Sequence, residues 1–274
     1  MTNSFTDSDY LKHQQYKNAG NYGVRVRFHE RFSTNPQDSH IWCFEHLLAE
    51  LPAEAHILEL GGGQADLWLK SAKRIPAGWQ ITFSDFSAGM VADAQARLGD
   101  LAGRFADFSV IDAQAIPYED GGVDAVIANL MIYHVPDRPQ ALSEIRRVLK
   151  PNGICFAMTL GDGHMTELYD WVRAVVPELG FGLRHTDNPF SLENGLAQLQ
   201  AHFSDVRLVR YEDSVAVAGD LDLLTRYIAS LEDQTELIED AALREKFQAA
   251  AREKIAAEGA IRATKHVGLF MARG

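Results

Sequence analysis

Between residues 55 and 160 short apolar runs alternate with helical patterns, and few rhythms restrict a fold as tightly. "HILEL" (56–60), "WQITFSD" (79–85), "FSVID" (108–112), "VDAVIANL" (123–130) and "ICFAMTL" (154–160) read as strands. Residues 64–73 read as a helix, and Ser87 caps another that runs to about residue 98. A third starts at Asp137 and carries Leu142, Ile145, Val148 and Leu149 on one side; "KPNG" ends it with a proline and an Asn-Gly turn. Continuously apolar strands are those covered on both faces. Strand–helix alternation then implies right-handed crossovers and an α/β, doubly wound, mostly parallel sheet.

The flanks are less regular. Residues 1–35 are polar with scattered aromatics, among them Tyr10, Tyr16, Tyr22, Phe28 and Phe32, and read as a helical arm that packs on something. "QDSHIWCFEHLLAEL" places Ile41, Phe44, Leu47 and Leu48 at helical spacing, and Pro52 ends it. After residue 160 come helical patterns at "HMTELYDWVRAVV" and "SLENGLAQLQAHF", the second with Ser191 as N-cap. A sixth strand follows at 206–212, then a long helical stretch over 219–258 that ends at Gly259, and a last strand at 266–273. The expected organisation is one domain over 1–274: an arm or lid at 1–40, a ligand-binding core at 41–160, helical cap insertions at 161–202 and 213–264, and closing strands at 203–212 and 265–274.

Composition excludes more than it selects. The formal net charge of −12 disfavours non-specific nucleic-acid binding, since phosphates need cationic partners. Two distant cysteines, Cys43 and Cys155, form no metal-like spacing, and Cys155 sits in an apolar run, as a buried reduced thiol would. The first residues lack the apolar core of a signal peptide. No run approaches the roughly 18 apolar residues of a membrane span. The expected location is the cytoplasm, with no metal, and with a homodimer compatible with the composition.

In open α/β sheets ligands bind beyond the carboxyl ends of the strands. After the first strand come Gly61, Gly62 and Gly63, either a tight turn and nothing more or a turn that lets backbone approach a ligand. A dinucleotide fingerprint would need glycine or alanine at position 66, where this chain has Asp66. The second strand ends in Asp85, which either accepts from ribose hydroxyls or caps the next helix. Asp112 and Ala113 end the third, and Asp112 either accepts from an adenine amino group or caps its loop. Asn129 and Leu130 end the fourth and line the floor. Glu59, just before the glycines, would repel a pyrophosphate and attract a sulfonium or ammonium. The pattern points to a cationic adenosine cofactor.

"ILELGGGQADL", "ITFSDFSAGM", "FSVIDAQAIPYEDGGVDAVIANLMIYHVPD" and "ALSEIRRVLKPNGICFAMT" resemble, in order and spacing, the successive motifs of class I S-adenosylmethionine-dependent methyltransferases, with the flavour of the group that includes the ubiquinone/menaquinone C-methyltransferases. The family's acid-x-Gly-x-Gly-x-Gly maps onto Glu59, Gly61, Gly63 and Ala65, with alanine for the third glycine. The resemblance implies a Rossmann-like seven-stranded sheet of order 3-2-1-4-5-7-6 with strand 7 antiparallel. It implies S-adenosylmethionine as cofactor and S-adenosylhomocysteine as product. Glu59, Gly61 and Gly63 would hold the methionine part, Asp85 the ribose, and Asp112 with Ala113 the adenine, with Met90 or Phe86 packed on the base. Tyr16, Tyr22 and Arg25 of the arm would reach the cofactor's carboxylate or close the pocket.

Methyl transfer to a small-molecule O, N or C acceptor is the implied activity. The alternatives are a protein that binds the cofactor without transfer and an enzyme that uses it for other chemistry. A macromolecular acceptor fits less well, because the fourth strand ends in "ANLM" rather than Asn/Asp-Pro-Pro-aromatic. His134 is either a general base or a histidine that bonds backbone in its turn. Tyr133 points into the pocket or into the core. His164 and Glu167, three apart on a helix, either face the acceptor together or form a solvated or capping pair; two ligands alone make no metal site.

Overall fold

The computed structural model describes residues 19–180, 188–231 and 234–274, for 19–22 the backbone alone. Seven strands form one sheet in the order β3-β2-β1-β4-β5-β7-β6. They are β1 (Glu54–Glu59), β2 (Gly78–Asp85), β3 (Phe105–Val110), β4 (Val123–Ile127), β5 (Leu149–Leu160), β6 (Asp205–Val217) and β7 (Ile261–Arg273). β1 to β5 pair in parallel, and β7 runs antiparallel to both β5 and β6. This is the Rossmann-like architecture and strand order expected above.

Alternating strand side chains feed two hydrophobic layers. Ile57, Ile81, Phe83, Ala125, Ile127 and Phe156 pack under α2 (Ser39–Glu50), α3 (Asp66–Ser71) and α4 (Ala88–Leu98). Leu58, Val126, Cys155 and Phe270 face the other way, toward α5 (Arg138–Val148) and α7 (Gly195–Gln200). The caps obey local chemistry: Asp38, Ser87 and Asp137 each accept a backbone N–H of the helix they start. Ser191 does not cap α7. Its hydroxyl accepts from Glu193 N, and the helix starts later, behind Asn194. "KPNG" ends α5 but makes no free turn; it continues as the irregular start of β5, where the register against β4 shifts.

The chain departs most from expectation after residue 205. β6 and β7 are 13 residues each and pair along their whole length, well beyond the runs 206–212 and 266–273. β5 accompanies β7 only as far as Leu160, opposite Val267. Residues 212–217 and 261–266 therefore continue as a ribbon past the carboxyl end of β5. Burial alternates along it, because one face is covered by a third core, but the polarity pattern is broken where the buried positions are Asp213 and Lys265. That core joins α1 (Ala19–Phe32), α6 (Thr166–Val175), α8 (Leu221–Ala229), α9 (Glu236–Glu239) and α10 (Ala241–Glu258). The expected single helical stretch over 219–258 is broken into α8, α9 and α10, with Asp220 and Asp240 as caps.

The arm is fastened to this ribbon. Ser33 bridges Val215, and Thr34 N and Asn35 N donate to the Asp213 carboxylate. Lys265 donates to the same buried carboxylate at 2.5 Å and to Ser33 Oγ at 2.9 Å. A buried ion pair lasts only when its remaining hydrogen bonds are met, as they are here. The cap thus stands on the side of the sheet where the parallel strands end.

Candidate functional site

A cavity lies beyond the carboxyl ends of β1 to β4, and its floor is the glycine turn. Gly61 and Gly63 take positive φ of 62° and 57°. Gly62 is required for space, since a Cβ there would stand 2.3 Å from the Phe83 ring. Ala65, at the third glycine of the family pattern, also sits at φ 60°, a conformation that costs an L-residue about 1 kcal/mol.

Acids line one wall. Glu59 is buried and accepts from Trp68 Nε1 at 2.5 Å. Burial pushes its pKa up to about 8, with the Asp85 charge adding to the effect and the Trp68 hydrogen bond opposing it. The sequence treats Glu59 as a fixed negative charge; in the fold its burial favours the protonated carboxyl. Asp85 receives Gly63 N at 3.1 Å and Ser87 N at 2.9 Å, which lock the turn to the end of β2. Burial raises its pKa and those backbone donors oppose the rise. The helix-capping role belongs to Ser87, and Asp85 lines the cavity. Asp112 does close its own loop, accepting Gln114 N at 2.9 Å, and lines the cavity as well. Asp66 is buried and paired with Arg97 at 3.2 Å.

The opposite wall is the end of β4. Asn129 accepts Met158 N at 3.2 Å and donates to Cys43 Sγ at 3.4 Å, which ties β4 to β5 and α2. Leu130 follows at φ 55°, a left-handed conformation that is strained for leucine and turns the backbone over the cavity. Phe86, Met90, Ala113 and His134 complete the expected residues that line it.

Six expected residues are elsewhere or outside the described residues. Arg25 bonds Ser230 Oγ and the Ser230 carbonyl and does not line the cavity. Tyr133 is buried in the sheet's core, in edge contact with His134. His164 is buried against β7, its Nδ1 3.3 Å from the His266 carbonyl. Glu167 accepts from Thr264 N and Oγ, pinning α6 to β7. Neither lines the cavity, so the pair does not face an acceptor there. The Tyr22 side chain and all of Tyr16 lie outside the described residues. Among the described residues no helix is long and apolar enough to cross a membrane, and no group of three His, Cys, Asp or Glu side chains could hold a metal.

The sequence reading missed His40, Gln114, Met131 and Met158, which also line the cavity. His40 had a usable signal: it lies two residues after Asp38, the helix cap. The Asp38 carboxylate accepts both His40 N and His40 Nδ1. The two methionines had none, because a methionine at a strand end reads as core.

Chemically, the cavity offers carboxylates on one side and apolar walls on the other. No lysine or arginine is among the described lining residues. It is poorly made for a phosphate, and it suits a nucleoside that carries positive charge.

Comparison with known proteins agrees. A family model described as a methyltransferase domain matches residues 58–157. The chain is 28% identical to a ubiquinone/menaquinone biosynthesis C-methyltransferase of Desulfotalea psychrophila, over 57% of this chain and 63% of that one, so it spans a little under two thirds of that relative's length. It is 30% identical to a malonyl-[acyl-carrier protein] O-methyltransferase of Geobacter sulfurreducens, over 66% of this chain and 67% of that one. In fold it is similar to Haemonchus contortus phosphoethanolamine N-methyltransferase 2, solved with phosphomonomethylethanolamine and S-adenosylhomocysteine. There the TM-score is 0.57 and the identity 21%, over 99% of this chain and 60% of that one. Sheet order, glycine turn, strand-end acids and relatives converge: the chain belongs to the class I S-adenosylmethionine-dependent methyltransferases.

Proposed function

We propose that this chain transfers a methyl group from S-adenosylmethionine to a small-molecule acceptor by in-line displacement. The observation that carries the reading is the cavity itself: a glycine turn too crowded for side chains, with acids at the ends of β1, β2 and β3 and no lysine or arginine among its described lining residues. Those residues fit the family's cofactor, which brings a sulfonium and an ammonium but no phosphate. Glu59, Gly61 and Gly63 would hold its methionine part. Asp85 would hold the ribose, and Asp112 with Ala113 the adenine, with Met90 or Phe86 packed on the base. When bound, the cofactor supplies a methyl already activated on sulfur.

The protein's remaining work is alignment and exclusion of water. Leu130, Met131 and Met158 form an apolar wall suited to that. His134 lines the cavity beside this wall and is proposed to take a proton from acceptors that must lose one. By their names the relatives above methylate carbon, oxygen and nitrogen. What they share is the cofactor side, so the acceptor's identity falls to the arm and cap. The whole chain then works as a single domain whose core binds cofactor and whose cap selects the acceptor.

The test is turnover. Purified protein is given S-adenosylmethionine labelled in the methyl group, together with pools of phenols, amines, acids and activated-carbon acceptors. Label in a small-molecule product, with S-adenosylhomocysteine in equal amount, supports the reading. Tight cofactor binding with no transfer to any pool supports a binding protein instead.

A further inference from the structure

Cofactor binding in this family poses a charge problem that the acids do not solve. The methionine end carries a carboxylate as well as two cationic groups, and none of the acids lining the cavity offers that carboxylate a cationic partner. The resemblance has Tyr16, Tyr22 and Arg25 of the arm reach that carboxylate or close the pocket, and of these Arg25 bonds Ser230 instead. Among the described lining residues only His40 and His134 can bring a cationic side chain; the amide of Gln114 donates to Asp112 and that of Asn129 to Cys43.

His40 is the better placed. It stands in the first turn of α2, a 12-residue helix whose Asp38 cap holds its ring. Asp38 Oδ1 lies 3.0 Å from His40 Nδ1, and a carboxylate only accepts, so Nδ1 carries a hydrogen. Nε2 has no partner among the described residues and is the nitrogen left for a ligand. Asp38 is itself fixed: Lys70 of α3 donates to it at 2.7 Å and pairs with Glu30 of α1 at 2.9 Å. Arm, glycine-turn helix and His40 thus form one charged chain.

Position decides which part of the cofactor His40 meets. Cys43, one turn further along α2, touches Asn129 at the end of β4, and Phe44 packs edge-on against Trp68 of α3. That face of α2 therefore lies over β1 and β4. Asp85 and Asp112 mark the β2 and β3 end of the cavity. A nucleoside placed on those two acids sends its amino-acid tail toward β1 and β4.

Resting on the cofactor reading above, we infer that the doubly protonated ring of His40, its Nδ1–H held by Asp38, donates Nε2–H to the cofactor's carboxylate and so selects cofactors that possess one. The helix N-terminus around His40 favours the same negative charge.

Calorimetry on the full chain tests this with two probes: S-adenosylhomocysteine and its decarboxylated analogue, S-adenosyl-3-thiopropylamine, which keeps the ammonium. His40→Ala is expected to weaken S-adenosylhomocysteine by at least tenfold and the analogue by less than twofold. Asp38→Asn is expected to show a smaller loss confined to S-adenosylhomocysteine. Retained analogue binding also proves that the variants fold. Equal losses for both probes, or no loss for either, would overturn the assignment. If the wild-type chain binds neither probe, the cofactor reading itself falls and takes this assignment with it.

Discussion

Glu59→Gln is the substitution that most sharply tests how the site stores charge. Burial holds the folded-state pKa of Glu59 at about 8, against an ordinary value of 4.5. Between those values the folded chain keeps a proton that the unfolded chain has lost. Stability must then fall as pH rises through the window, by about 1.4 kcal/mol per pH unit. From about pH 5 to about pH 8 the loss is on the order of 4 kcal/mol, and above pH 8 it levels off because both states are ionised. Glutamine has the same shape, offers Trp68 Nε1 an oxygen, and has no proton to lose. Urea unfolding of both proteins at successive pH values isolates the term. The wild-type stability minus that of the variant should decline across the window and then flatten. Parallel curves would mean that Glu59 is already ionised at pH 5, and the buried-acid account of the site would be wrong. A cation bound beside Glu59 lowers its pKa again, so cofactor binding near neutrality should release a proton, visible as buffer-dependent heat.

Two further substitutions probe the scaffold. His29 is buried with Nδ1 unpartnered among the described residues, and burial, the largest cause, lowers its pKa to about 3. Its unfolded form takes a proton below about 6.5, so its contribution is full above that pH and is lost as pH falls toward 3; His29→Phe should flatten this acid limb by roughly 3 kcal/mol at pH 4, read by urea unfolding. Gly62→Ala puts a methyl 2.3 Å from the Phe83 ring and 2.8 Å from Glu59 Oε2, and should cost on the order of 1–3 kcal/mol by thermal unfolding.

What the sequence made legible follows the physics of each segment. Strands β1, β2 and β4 were readable because both their faces are covered toward their carboxyl ends, which leaves short apolar runs such as "AVI" of β4. The helix starts at Ser87 and Asp137 were readable because capping is local chemistry. The ribbon of β6 and β7 was not: its outer half alternates polar and apolar residues weakly, and the partner of residue 213 is residue 265, too far away for any local pattern to show. The site divides in the same way. Residues at strand ends announce themselves by position, and the lining residues Glu59, Asp85 and Asp112 were found so. Residues brought in from another element, such as His40, required knowing that α2 lies over β1 and β4. His164 and Glu167 misled because helical spacing shows that two side chains share a face, not which neighbour that face meets; it meets β7.

The central claim, that the cavity at the strand ends holds S-adenosylmethionine, is tested most directly by titrating the wild-type chain and Asp85→Ala with S-adenosylhomocysteine in a calorimeter. The account predicts one site of micromolar affinity in the wild type and a loss of at least tenfold, about 1.4 kcal/mol, in the variant. No heat of binding to the wild type, or equal affinity in both proteins, would contradict it.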